Sequence, residues 1–312
     1  MRAVPRAPAP RQSPSWYDAE YNSRARIPDH RVILQRWSDD SAQARARLGG
    51  TLDVAYGDDP SERLDIFSPA RGDAPILVYL HGGYWRALDK RDQSFVAPPF
   101  VAAGALTVLP NYALCPAIGI EHIARQLVRA MSWIHRHARA IGGDPERICV
   151  AGHSAGGHLA TLLLACRWRA VAADLPDGLV RGAVSVSGVY ELEPLRHAPF
   201  LAPDLRLNAA SARRLSPAAM PPPRGRLVTV VGADESSEFH RQAALISQAW
   251  GDTVVAAETV AGRHHMDVLD ELVDPHAVTH RWALALLGLA DAPARNALRP
   301  AHPQPRARRS AR

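Results

Sequence analysis

Cysteine is scarce in this chain and lysine is nearly missing. The three cysteines among 312 residues, Cys115, Cys149 and Cys166, are odd in number and widely spaced, which excludes a disulfide framework and offers no zinc-site spacing. Three free thiols are expected. No apolar run approaches the roughly 18 to 20 residues of a membrane span. The best is Ala283 to Ala290, so no membrane partner is expected. The first fifteen residues place Arg2, Arg6 and Arg11 around no apolar centre, unlike a secretory signal, and the default compartment is the cytoplasm. Lys90 is the only lysine. With every other basic residue an arginine, and alanine and proline abundant, the basicity reads as compositional bias rather than as a phosphate-binding surface. The core has no basic helix with interleaved aromatics, which argues against a nucleic-acid partner.

What the chain does contain is enough apolar material for a sizeable core. At 47% hydrophobic and 22% charged residues it has the composition of an ordinary globular protein. Its net charge of +6 is confined to the ends: residues 1–15 hold three arginines and no acids, residues 292–312 six and none, so residues 16–291 carry about −3. The two ends, 1–15 and 291–312, are expected to be disordered tails flanking one folded unit of residues 16–290.

Short apolar runs recur along that unit. Residues 53–67 alternate as a hairpin does. PILVYL (75–80), ALTVL (105–109), RICVA (147–151), GAVSV (182–186), RLVTVV (226–231) and TVVAA (253–257) are continuous, the mark of strands buried on both faces. Between them, residues 121–141 place Ile123, Leu127, Met131 and Ile134 at helical spacing and stop at Gly142-Gly143. Residues 157–169, 237–250 and 274–289 read the same way, the last with Pro275 in its first turn. Alternating strand and helix predicts a doubly wound α/β sheet, mostly parallel, with helices on both faces. Residues 187–225, proline-rich and aperiodic, are expected to form a short cap over the strand ends, where such sheets bind ligands.

The strongest chemical signal is Gly152-His153-Ser154-Ala155-Gly156, a G-x-S-x-G element between the strand RICVA and the helix GHLATLLLACRW. Its small residues let the backbone pass closely through a strained turn that lifts the serine hydroxyl above the sheet. Such a hydroxyl needs a base, an orienting acid and donors for an oxyanion. His81-Gly82-Gly83-Tyr84-Trp85 follows PILVYL and matches a loop whose amides, near Gly82 and Gly83, act with that of Ala155 as the donors. His81 is expected to hold that loop rather than to serve as base. The segment Val230 to Ser236 ends a strand with two adjacent acids, Asp234 and Glu235, and a loop after TVVAA carries His264 and His265. Serine, acid and histidine thus follow in the chain order of the α/β-hydrolases. Asp144 is assigned to a turn, Asp267 and Asp270 to a helical turn, and His135 and His137 to a helix end without a metal role.

HGGYW, GHSAGG and VGADESSEFHRQ, together with YNSRARIPDH at Tyr21 to His30 and NYALCP at Asn111 to Pro116, resemble the kynurenine formamidase (arylformamidase) branch of the α/β-hydrolases. The likeness runs over about residues 17 to 285. It implies an α/β-hydrolase fold and an acid just before the Ser-x-Glu-Phe segment, which selects Glu235 over Asp234. It also implies a histidine before the position of Met266, which selects His265 over His264. The implied activity is hydrolysis of N-formylkynurenine through an acyl-Ser154, with a small-molecule substrate and no metal or organic cofactor. Tyr84 and Trp85 are the aromatics expected to face the substrate ring, with N-terminal Trp16 and Tyr17 read either as further aromatic surface or as packing. A carboxylesterase acting on small acyl esters is the alternative, and a non-catalytic receptor or binding module a remote one. Oligomeric state is left open, a homodimer included.

Overall fold

The computed structural model describes residues 12–293. The tail expected after residue 290 lies almost wholly outside them, and so does most of the one expected before residue 16. The folded part nevertheless starts slightly earlier than expected. Ser13 accepts from Trp16 N and caps helix α1 (Pro14–Tyr21), whose proline stands in the first turn. Helices α2 (Ser23–Arg26) and α3 (His30–Leu48) follow.

Eight strands form one sheet: β1 (Thr51–Ala55), β2 (Arg63–Phe67), β3 (Ala74–Leu80), β4 (Leu106–Pro110), β5 (Gly143–His153), β6 (Gly182–Val186), β7 (Arg226–Gly232) and β8 (Val254–Val260), in the order β1-β2-β4-β3-β5-β6-β7-β8. β1 and β2 are the antiparallel hairpin, β2 is antiparallel to β4, and the other pairings are parallel. All seven residues of β3 are buried. Its alternation sends Ile76, Val78 and Leu80 to one face and Leu77 and Tyr79 to the other. The first face is covered by α5 (Ile120–His137), α6 (Ala155–Leu164) and α10 (Ser237–Trp250), through residues such as Leu127, Leu159 and Phe239. The second is covered by α3, α4 (Ala97–Ala102) and α12 (Val278–Leu286), through Trp37, Phe100 and Trp282. This is the doubly wound α/β-hydrolase architecture.

Three expectations shift. The helix expected over residues 157–169 ends at Leu164, and a separate helical turn follows at Trp168–Val171. The last helix begins at Val278 rather than Asp274, because Asp274 accepts from His276 N and Ala277 N in a turn that leaves Pro275 outside the helix. Residues 144 and 145 fall inside β5, although Asp144 still accepts from Glu146 N as a turn residue does. Helix α3 carries no strong apolar stripe: its buried face is Ile33, Trp37, Ser41 and Ala44, half of it small or polar. Short helices α7 (Trp168–Val171), α8 (Ala202–Leu205), α9 (Ala209–Arg214) and α11 (Asp270–Val273) complete the α-helices among the described residues. α8 and α9 belong to the segment between β6 and β7, and Phe200 of that segment reaches the cavity described below.

Candidate active site

The C-terminal ends of β5, β6, β7 and β8 converge on one point. β5 runs to His153 and the chain turns abruptly at Ser154, whose φ of 55° and ψ of −118° lie in the left-handed half of backbone space. Strain of this kind persists only where the surroundings enforce it. Ser154 N donates to Val186 O at 2.8 Å. A Cβ on Gly152 would stand 2.3 Å from the Gly156 carbonyl, and one on Gly156 would stand 2.0 Å from Leu80 O. The glycines of the motif are therefore contact requirements between β3, β5 and α6.

Ser154 Oγ lies 3.0 Å from His265 Nε2, and His265 Nδ1 lies 2.6 Å from Glu235 Oε2. The other carboxylate oxygen of Glu235 accepts from Gly232 N at 2.8 Å and from the Ser187 hydroxyl. Burial pushes the Glu235 pKa up, but His265, the Ser187 hydroxyl and the Gly232 amide outweigh it and hold the carboxyl below its ordinary value. With the carboxylate ionised, Nδ1 carries the imidazole proton and Nε2 presents a lone pair to the serine hydroxyl.

Of the paired candidates, one member of each joins this chain of contacts. Asp234 is exposed and its amide donates to Arg263 O. His264 turns away, its Nδ1 accepting from Met266 N and Asp267 N. His81 is buried beside the site, its Nδ1 2.9 Å from Gly82 O and its Nε2 3.2 Å from Asn111 Oδ1, with Tyr112 stacked on its ring. Burial lowers its pKa. The amides of Gly82, Gly83 and Ala155 have no hydrogen-bond partner among the described residues. Gly82 abuts Ser154: a Cβ there would lie 2.8 Å from His153 O.

A cavity opens in front of Ser154 and His265, walled by Tyr84, Leu88, Phe200, Trp37 and Met266. Tyr84 lines it and donates through its hydroxyl to Tyr21 O. Trp85 does not. Its indole is fully buried edge-on against His158, because the left-handed backbone at Tyr84 and Trp85 sends the two rings in different directions. Trp16 and Tyr17 also stay outside the cavity, Tyr17 packing 5.5 Å from His197.

Three residues of the site carried no distinct sequence signal. Ser187, at the end of β6 with φ of 51°, reaches Glu235. His153, the variable position of the motif, lies with Nε2 2.6 Å from His265 O. Burial lowers its pKa to about 3, so it is neutral and donates that bond. Trp37 of α3 stands edge-on to His153.

This fold and contact chain define an α/β-hydrolase. A sequence profile of the alpha/beta hydrolase fold matches residues 77–263, more than half of the chain, and the chain belongs to that family. Within it the chain is kynurenine formamidase-like. The kynurenine formamidase of Salmo salar is 29% identical over 287 residues, which cover 88% of this chain and 94% of that protein. The esterase LipC of Mycobacterium tuberculosis is 32% identical over 143 residues, 44% of this chain and 35% of that protein. A crystal structure from Silicibacter sp. TM1040 superposes with a TM-score of 0.75 at 28% identity, covering 88% of this chain and 98% of that one. Among the described residues no helix is long and apolar enough to cross a membrane.

Proposed function

We propose that this chain is a serine hydrolase that cleaves N-formylkynurenine to kynurenine and formate through a formyl-Ser154 intermediate. The observation that carries the reading is the contact chain from Glu235 through His265 to Ser154 at the floor of an open cavity. The likeness to kynurenine formamidase supports it along nearly the whole chain.

In this reading His265 Nε2 takes the hydroxyl proton as Ser154 Oγ attacks the formyl carbon. The carbonyl pair moves onto oxygen, where the amides of Gly82, Gly83 and Ala155 receive it. Collapse breaks the carbon–nitrogen bond while His265 returns its proton to the departing arylamine. Water, deprotonated by His265, then attacks the formyl ester. The second collapse releases formate and restores the Ser154 hydroxyl. Glu235 stabilises the imidazolium formed in each half.

A carboxylesterase acting on small acyl esters is the second reading, favoured by the likeness to LipC over 44% of the chain. The test is steady-state kinetics of the wild type and Ser154→Ala on N-formylkynurenine and 4-nitrophenyl acetate. Formamide turnover is expected, with kcat/KM reduced by at least about 10³-fold in Ser154→Ala. Ester turnover alone would replace the formamidase reading with the esterase one. Absence of serine-dependent turnover of either compound would point to a binding role.

A further inference from the structure

The cavity before Ser154 is lined by two arginines, Arg24 and Arg86, and by no aspartate or glutamate. The two are held differently. Arg86 pairs with Asp204, donates 2.7 Å to Phe200 O and lies over the Phe200 ring. Arg24, on α2, has neither a carboxylate nor a carbonyl partner among the described residues. It stands near the Arg86 guanidinium, which together with partial burial lowers its pKa. Glu235, the carboxylate bonded to His265, sits behind that ring with its oxygens engaged. Nothing described in the cavity therefore compensates the Arg24 charge.

Arg24 is exposed, but the segment that carries it is anchored. Asn22 caps α2 through Ala25 N, Tyr84 donates to Tyr21 O, and the Ser236 hydroxyl donates to Glu20 O. A cation on an anchored segment, lining with a second, carboxylate-paired arginine a cavity whose lining holds no acid, is complementary to an anion. Guanidinium matches a carboxylate in particular, since its fork can make two parallel bonds.

We propose that Arg24 is a specificity-determining residue that binds a carboxylate on the leaving-group side of the substrate. The hydrolase then takes acyl arylamines that carry a free carboxylate in preference to neutral ones. The placement on the leaving side rests on the formamidase reading, because a formyl group has no room for a second charge.

The test separates binding from turnover. Calorimetry measures wild type, Arg24→Gln and Arg24→Lys with 4-(2-aminophenyl)-4-oxobutanoate and with its carboxamide, an anionic and a neutral form of one arylamine. The wild type is expected to bind the carboxylate about tenfold more tightly. Arg24→Gln is expected to lose that difference and Arg24→Lys to keep part of it. A wild type that does not distinguish the two, or binds neither, overturns the proposal, as does a preference that survives in Arg24→Gln. The N-formyl derivatives are then assayed for hydrolysis. An intact carboxylate preference without their hydrolysis would remove the formamidase reading and leave the anion site standing.

Discussion

The Ser187 hydroxyl donates to Oε1 of Glu235, the carboxylate oxygen turned away from His265. Ser187 sits at the end of β6 and Glu235 just past β7, so two neighbouring strands fix one carboxylate. Hydrogen bonds to charged groups are worth roughly 1.5–3 kcal/mol. Ser187→Ala leaves the carboxylate with the Gly232 amide alone on that oxygen. Ser187 does not line the cavity before Ser154. We therefore expect kcat to fall about tenfold with KM little changed, read by steady-state kinetics on whichever of the two assay compounds is turned over. An unchanged kcat would show that Glu235 does not need this support.

Glu235→Gln removes the acceptor that holds the proton on His265 Nδ1. The amide can donate there instead, which favours the opposite tautomer, and kcat should fall about 10⁴-fold. The same substitution alters the acid response. The native carboxyl titrates below its ordinary value of 4.5. As pH falls below that value the unfolded state takes up this proton before the native state does, so the carboxylate's contribution to stability is full above it and lost through the lower native pKa. Urea unfolding from pH 7 down to pH 4 should show the stability of wild type minus that of Glu235→Gln level above about pH 5.5 and declining in acid. A difference that grows in acid would contradict the assignment.

The Gly156→Ala substitution tests the elbow without touching a reacting atom. The added methyl would meet the backbone oxygens of Leu80 and His81 at 2.0 and 2.7 Å, and neither can move without displacing β3 and the loop after it. The loss should be about 1–3 kcal/mol or more, measured as a lowered thermal midpoint. Gly178→Ala, where the nearest atom is 3.7 Å away at the end of the Arg181 side chain, is the control and should leave the midpoint nearly unchanged.

These positions mark what the sequence makes legible. The six apolar runs are legible as strands because burial leaves them few charged positions, and they overlap β3 to β8, of which the edge strand β8 is only partly buried. Gly156 is legible because a close backbone approach admits no other residue. Ser154, Glu235 and His265 can be proposed from strand-end motifs, since the ends of parallel strands gather at one edge. Ser187 cannot, because one serine after a strand looks like any other until the register of β6 and β7 places it under the acid. Trp85 misleads for a related reason: the direction of its side chain is set by a left-handed backbone that the letters HGGYW do not announce. Arg24 stands in a recognisable segment, yet its lack of a partner emerges only when α2 is folded over the cavity.

The single lysine gives the last prediction. Lys90 is buried, with its ammonium 2.6 Å from Oδ1 of both Asp53 and Asp65. Asp65 is almost wholly buried, while Asp53 is more than half exposed and its carboxyl is held below its ordinary range chiefly by the bond to Lys90. Removing the cation leaves Asp65 a buried charge without an ionic partner, which typically costs about 3–5 kcal/mol. The Lys90 backbone also matters, since its amide donates to Asn111 Oδ1 beside His81. Lys90→Met keeps that amide and most of the side chain's length, so its effect should fall on stability rather than on chemistry. We expect denaturant unfolding to register a loss of about 3–5 kcal/mol, with kcat preserved in the folded fraction. The double variant Lys90→Met/Asp65→Asn removes the stranded charge as well and should recover a substantial part of that loss. Recovery would assign the cost to the unpaired carboxylate. If the double variant is instead as unstable as Lys90→Met alone, packing around the methylene stem of Lys90, rather than its charge, holds β2 against the segment that follows β3.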